Sequence, residues 1–280
     1  MPSTDVWEPL GPTLDAILAA SPDPLRALSE ARIPAILLRK AYDPALLPGL
    51  IRRFIERGLM RDPADPAAAL ADKRSRIDIG TSLGNLGGDR DAFLAHAAET
   101  NTLFETLFEG FPNPVDLIYS TLSALAGSKD VLVAQEPDGR RYGPAIFRVH
   151  YTGHQYKPHI DHVTLREKRF NYAVTRFTDQ FAGVLCVQNA NLDGRCAQAI
   201  LHRCVWTPDV QESILTETFP EYAQEHCISH YQVELEPGDL YFFNTRLIHE
   251  VPAIEGSDPR IVLATFIGYS VNDPEVFVWS

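Results

Sequence analysis

The residues best equipped for chemistry in this 280-residue chain are histidines, and four of its nine crowd into the stretch from Val149 to His162. His150 and His154 have the spacing of a helical zinc pair, but Gly153 and Pro158 in the same stretch oppose a helix. His159 and Asp161 are two positions apart. On an extended strand such residues point to one face, so an imidazole and a carboxylate could share one metal there. A lone His-x-Asp arises by chance in a chain with nine histidines and 37 carboxylates, so its meaning depends on what accompanies it.

The company is a turn, Glu236-Pro-Gly-Asp239, opening a strand that delivers His249. Eleven positions later, past the turn from Glu255 to Asp258, Arg260 heads the run Ile261 to Gly268. Two neutral imidazoles and one carboxylate on one face, with open positions opposite, form the donor set of non-haem Fe(II) oxygenases. Placed on the next strand of a hairpin, Arg260 would stand away from the metal. A 2-oxoglutarate chelating iron through its C1 carboxylate and keto oxygen would send its C5 carboxylate toward that guanidinium, whose fork matches a carboxylate bidentately.

Two kinds of element must position these residues. The first half of the chain reads as helix. Leu46, Leu47, Leu50, Ile51, Phe54 and Ile55 share one face of a helix over 44–58, a second helix spans 90–108, and a third follows Asn113-Pro114 and stops near Gly127. From Val131 the texture changes to short β-branched and aromatic runs at 131–135, 146–152, 181–188, 199–206, 230–235, 239–243, 247–252 and 260–269. Eight runs of this kind predict an α+β fold with a double-sheet, jelly-roll or cupin-like core and N-terminal helices packed outside it. Residues 208–227 read as helical or irregular. With no repeat and no linker, 1–280 is expected to be a single domain, with 1–128 as the helical flank and 129–280 as the core carrying the metal site. The glycine-rich segment 77–89 fits neither phosphate-binding fingerprint and reads either as a surface loop or as a lid that closes over a site.

The composition sets limits. Lys and Arg number 25 against 37 Asp and Glu, a formal net charge of -12, which repels nucleic acid and anionic membranes. The N-terminal ten residues lack a signal-peptide pattern and no long apolar run occurs, so a cytoplasmic location and a small-molecule partner are expected. Cys186, Cys196, Cys204 and Cys227 form no Cys-x-x-Cys pair and are expected to be inert thiols.

His159-x-Asp161, His249 and Arg260 on a strand-rich C-terminal half resemble the Fe(II)/2-oxoglutarate-dependent dioxygenase superfamily. The ending, Thr265-Phe-Ile-Gly-Tyr-Ser270 and Phe277-Val-Trp-Ser280, together with the segment 77–89, is similar to the bacterial branch of N-substituted amino acid hydroxylases and indole-alkaloid halogenases. The resemblance implies a double-stranded β-helix, Fe(II), 2-oxoglutarate and O2 as cofactors and co-substrates, and hydroxylation of an aliphatic C–H bond of a small molecule such as an amino acid derivative. In the halogenases of that branch a small residue replaces the carboxylate ligand, whereas Asp161 is present here. Halogenation is therefore the alternative reading, and a cupin-like metal-binding module without turnover is the other. Tyr142, Arg148 and Tyr151, just before the metal strand, could bind the C1 end of 2-oxoglutarate or serve the core. Arg76 and Arg166 could pair a substrate carboxylate or form surface ion pairs. His150, His154 and His162 are expected to be structural.

Overall fold

Along the strand Arg260–Tyr269 consecutive residues go to opposite faces, and both faces are covered. Ile261, Leu263 and Ile267 pack against helices, while Val262, Ala264 and Phe266 face a second sheet. The same alternation runs through the neighbouring strands: Phe147 and Val149, Phe181 and Leu185, and Leu240 and Phe242 join the helix-side core, whereas Ala182, Val184, Tyr241 and Phe243 join the core between the sheets. A strand buried on both faces reads as a continuous apolar run, which is why 181–188 and 260–269 stand out in the sequence.

The computed structural model describes residues 6–192 and 195–280, and side chains outside 191–196. The larger of its sheets has eight strands. Its path runs Ile36–Leu38, Leu240–Asn244, Asp179–Gln188, Arg260–Tyr269, Glu275–Trp279 and Asp130–Val133, with Ile146–His150 also paired to Arg260–Tyr269 and Arg76–Ile79 paired to Ile146–His150. Pairing is antiparallel except between Glu275–Trp279 and Asp130–Val133. A four-stranded antiparallel sheet, in the order His230–Val233, Ala199–Val205, Leu247–Val251 and Tyr156–His159, lies over its inner face.

The helices cover the outer face. Leu47–Glu56 buries Leu47, Leu50 and Phe54, and Pro114–Ala126, capped by the Asn113 side chain, buries Ile118, Leu122 and Leu125. Both helices and Arg90–Leu107 stand where the 3.6-residue periodicity put them. The uncertain stretch after Thr207 forms two short helices, Pro208–Leu215 and Phe219–Glu225, over the outer side of the smaller sheet. No helix among the described residues is long and apolar enough to cross a membrane. Cys186 is buried, Cys204 half-buried and Cys227 exposed, while the side chain of Cys196 lies outside the described residues.

The glycine-rich segment departs from expectation. Its first residues form the strand Arg76–Ile79 with Ile77 and Ile79 in the core, Thr81, Ser82 and Leu83 are buried, and Leu83–Leu86 is a short helix. Gly80, at φ +117, makes the turn between them, with Ala145 too close behind to admit a side chain easily. Gly80 and Gly87 therefore serve a tight, packed path, and most of the segment is a wall of the molecule.

Phe147, fully buried at the meeting of Phe54, Phe104 and Phe108, holds the helical layer on the sheet. Phe147→Ala should cost about 3 to 5 kcal/mol, read as a lowered denaturant midpoint with an unchanged slope.

Candidate metal centre and adjoining cavities

His159 ends the strand Tyr156–His159 and stands opposite His249 of Leu247–Val251, with their rings 4.2 Å apart between centroids. Each imidazole is held the same way. The Nδ1 of His159 lies 2.7 Å from the Lys157 carbonyl and that of His249 lies 2.9 Å from the Leu247 carbonyl. A carbonyl can only accept, so both Nδ1 atoms carry the proton and both Nε2 atoms present lone pairs. Those two Nε2 atoms face one oxygen, Oδ2 of Asp161, at 3.9 and 3.5 Å.

Asp161 lies just past its strand, and its backbone is fixed by buried Thr245. The Asp161 N–H donates to the Thr245 carbonyl at 3.0 Å, and the Thr245 hydroxyl donates back to the Asp161 carbonyl at 2.7 Å. Among the described residues, His159, Asp161 and His249 are the group of potential ligands whose donor atoms fall within 4.8 Å of one another.

Electrostatics favour the charge state a divalent metal needs. Burial, reinforced by the neighbouring His249, pushes His159 down to about 3, so its ring is neutral. Burial alone would raise the Asp161 carboxyl, but its surroundings, the His249 and His159 rings and the Arg166 guanidinium, hold it far below the usual carboxylate range. Two neutral nitrogens and one carboxylate oxygen suit Fe(II) better than they suit a thiol-seeking or all-oxygen metal.

Two cavities meet at this point. The inner one, about 80 Å³, lies between the sheets, where Ala182, Ala199 and Ala264 present little side chain. Arg260 reaches it from the same strand face as Val262 and Ala264. Its side chain is buried, and no carboxylate among the described residues pairs with it. Burial pushes the Tyr241 phenol in the same cavity up to about 12, with the Arg260 charge acting the other way. The outer cavity, about 340 Å³, is walled by Ser82, Leu83, Gly84 and Asn85 on one side and by Phe266 and Trp279 on another. Arg148, Tyr156, His159 and Asp161 border both.

The residues singled out in the sequence are not all found at these cavities. Arg148 is, with its Nε buried and unpartnered. Arg76 is at the outer cavity but pairs with Asp78 at 2.5 Å, and Arg166 is there but holds the carboxylate of Asp161. Tyr142 is a correction. It is fully buried away from both cavities, its hydroxyl donates to Glu136 and its ring packs on Phe93 and Tyr172. Tyr151 likewise serves the core, under the Arg61 guanidinium. His150, His154 and His162 are packed, hydrogen-bonded residues; His150 meets the Tyr156 hydroxyl at 2.9 Å. Sequence reasoning missed Thr245, Tyr156 and Trp279. Only Trp279 carried a signal, as an aromatic near the chain end opposite Phe266.

The model of the family described as carrier-protein-independent halogenase WelO5 matches residues 14–280. The chain belongs to this family. It is thus an enzyme of the Fe(II)/2-oxoglutarate-dependent class that its triad resembles. Among solved structures, an N-substituted L-amino acid dioxygenase from Burkholderia ambifaria AMMD is similar with a TM-score of 0.61 at 16% identity, over 94% of this chain and 91% of that one. Its complex with alpha-ketoglutarate gives 0.57 at 15% identity over the same shares. At such identities the likeness speaks for the fold, a mixed helix and antiparallel sheet architecture. A search of the curated proteins found no significant match.

The buried histidines make the fold acid-sensitive. Burial, with Arg260 and His154 adding to it, holds His150 well below 6.5, and burial with Arg246 beside it pushes His162 down to about 4. Both are neutral in the fold, whereas the unfolded chain takes up their protons below about 6.5. Stability should therefore be full above that pH and fall as pH drops from 6.5 toward 4. Melting curves of metal-free protein across this range test it; a melting temperature unchanged down to pH 4.5 would show that these rings are not held neutral.

Proposed function

We propose that this family member hydroxylates an aliphatic C–H bond of a small molecule, with iron held by Nε2 of His159, Nε2 of His249 and Oδ2 of Asp161. The observation that carries the reading is the convergence of both imidazole lone pairs on that one carboxylate oxygen. When bound, iron and 2-oxoglutarate supply oxidative decarboxylation of the co-substrate coupled to oxidation of the C–H bond. The chain's own part is to fix the ligand atoms, hold the co-substrate and exclude water from the inner cavity. Arg260, buried and without a carboxylate partner, takes the C5 carboxylate of 2-oxoglutarate, and the alanine-lined space between the sheets takes its chain. Arg148, where the cavities meet, faces the C1 end. The two facing sheets are in keeping with the double-stranded β-helix expected of such a core.

The outer cavity, with Arg76 and Arg166 on its border and the aromatic wall of Phe266 and Trp279, is assigned to the substrate. An amino acid derivative is the class in keeping with that lining. The second reading, chlorination, is favoured by the name of the family model. Against it stands Asp161, whose carboxylate takes the coordination position that a halide would need.

His249→Ala should abolish stoichiometric Fe(II) binding, because two ligands rarely hold a labile divalent ion. Full metal occupancy in that protein would sink the ligand assignment. Arg260→Ala should cost about 2 to 5 kcal/mol of 2-oxoglutarate affinity, with lysine restoring only part of it. An unchanged Michaelis constant for 2-oxoglutarate would place its distal carboxylate elsewhere. Wild-type product formed in excess chloride should gain one oxygen and show no chlorine isotope pattern by mass spectrometry.

A further inference from the structure

Asp161 has two carboxylate oxygens and they face different partners. Oδ2 looks toward the two imidazoles. Oδ1 accepts from Nη1 of Arg166, and the same nitrogen donates to the Ile160 carbonyl at 2.9 Å. The arginine returns to a residue five positions behind it because the chain turns back at once, with the Arg166 N–H donating to the His162 carbonyl at 3.1 Å. It is also tied on its far side. Glu167 stands 3.9 Å from the Arg166 Nε and pairs with Arg169 at 3.0 Å, and Arg169 donates to the Gly84 carbonyl at 2.9 Å. This chain of contacts joins the carboxylate to the Leu83–Leu86 wall of the outer cavity.

We propose that Arg166 is a positioning residue for the metal centre, which occupies Oδ1 of Asp161 and so leaves Oδ2 as the single oxygen offered to the metal. The inference rests on the reading of His159, Asp161 and His249 as the metal ligands. A free carboxylate beside a divalent ion can turn to chelate through both oxygens and take a second coordination position. One whose outer oxygen is held by a guanidinium, itself pinned to a backbone carbonyl, stays monodentate and keeps its rotamer. The position thereby left open is the one co-substrate and oxygen must use. The half-exposed guanidinium costs little to hold in place, since its partners are local in sequence.

This role gives Arg166 a second property. If the carboxylate is removed, the guanidinium still stands beside the metal position and becomes a seat for a small carboxylate supplied from solution. Four proteins decide the matter: wild type, Arg166→Gln, Asp161→Gly and the Asp161→Gly/Arg166→Gln double variant, with Arg166→Lys as a fifth that keeps charge without the fork. Co(II) affinity and the Co(II) absorption spectrum are read anaerobically, with and without sodium formate. Arg166→Gln should bind Co(II) about 10-fold to 100-fold more weakly with an altered spectrum, and Arg166→Lys should recover only part of the loss. Formate should restore Co(II) binding to Asp161→Gly and fail to do so in the double variant. An Arg166→Gln protein matching wild type in affinity and spectrum, or formate acting equally on both glycine variants, would overturn the proposal while leaving the triad intact. A wild-type protein that binds no Co(II) would overturn the ligand reading itself, and this proposal with it.

Discussion

The candidate metal centre depends on one pairing, His159 opposite His249 across two antiparallel strands. Side chains alternate with a period of two, so a slip of either strand by one residue would turn its imidazole out of the site. His249 is paired on both sides, with a β-bulge or irregularity in the register on either side of it. Val251 pairs with Tyr156 on one flank, and on the other His249 stands opposite Leu201 of the next strand. The carbonyls of Lys157 and Leu247, each two residues before its histidine, then fix the tautomers. Sheet geometry alone thus delivers two aimed lone pairs, and Thr245, just ahead of the His249 strand, brings in Asp161.

Charge is distributed on the same economy. The molecule is acidic overall, yet four arginines surround the two cavities. Arg76 is matched by Asp78 and Arg166 by Asp161, whereas Arg260 and Arg148 have no carboxylate partner among the described residues. A buried, unmatched guanidinium is costly, and a fold retains it where a ligand brings the anion. Between Arg260 and the triad the inner cavity also has apolar walls, from Ala182, Val184, Ala199, Val262 and Ala264, which strengthens attraction to an anionic ligand.

What could be read from the sequence follows from how local each feature is. His159 and Asp161 need only an extended backbone to share a face, and the runs at 181–188 and 260–269 announce strands buried on both sides. The helices at 47–56, 90–107 and 114–126 carry their apolar faces and caps in consecutive residues. Tyr142 was misplaced because nearness in sequence to Arg148 says nothing across Gly143-Pro144; the chain turns there and the ring goes to Phe93. Glycines at 80–88 suggest a loop or a lid, but a glycine marks close approach as readily as mobility, and here Ala145 crowds Gly80 and Leu83 crowds Gly87. The edge strands Ile36–Leu38 and Arg76–Ile79 are too short to show a period and exist because a longer strand stands ready to pair. Thr245 and Arg166 act through contacts that only the folded turn creates.

Membership of a halogenase-named family and possession of a carboxylate ligand are reconciled by how little separates the two chemistries. On the function proposed above, the protein's contribution to either is a pair of imidazoles and an arginine anchor for the co-substrate, which lie on the sheets. Asp161 itself sits outside regular structure, held by backbone contacts to Thr245 that any residue could make. Its side chain can therefore be exchanged without disturbing register, and a family can change its reaction there while keeping its fold. The exchange would also free Arg166, whose charge would then face the vacated position. A chain that keeps both the carboxylate and its guanidinium has that position filled and neutralised, which is the arrangement expected of an enzyme that transfers oxygen.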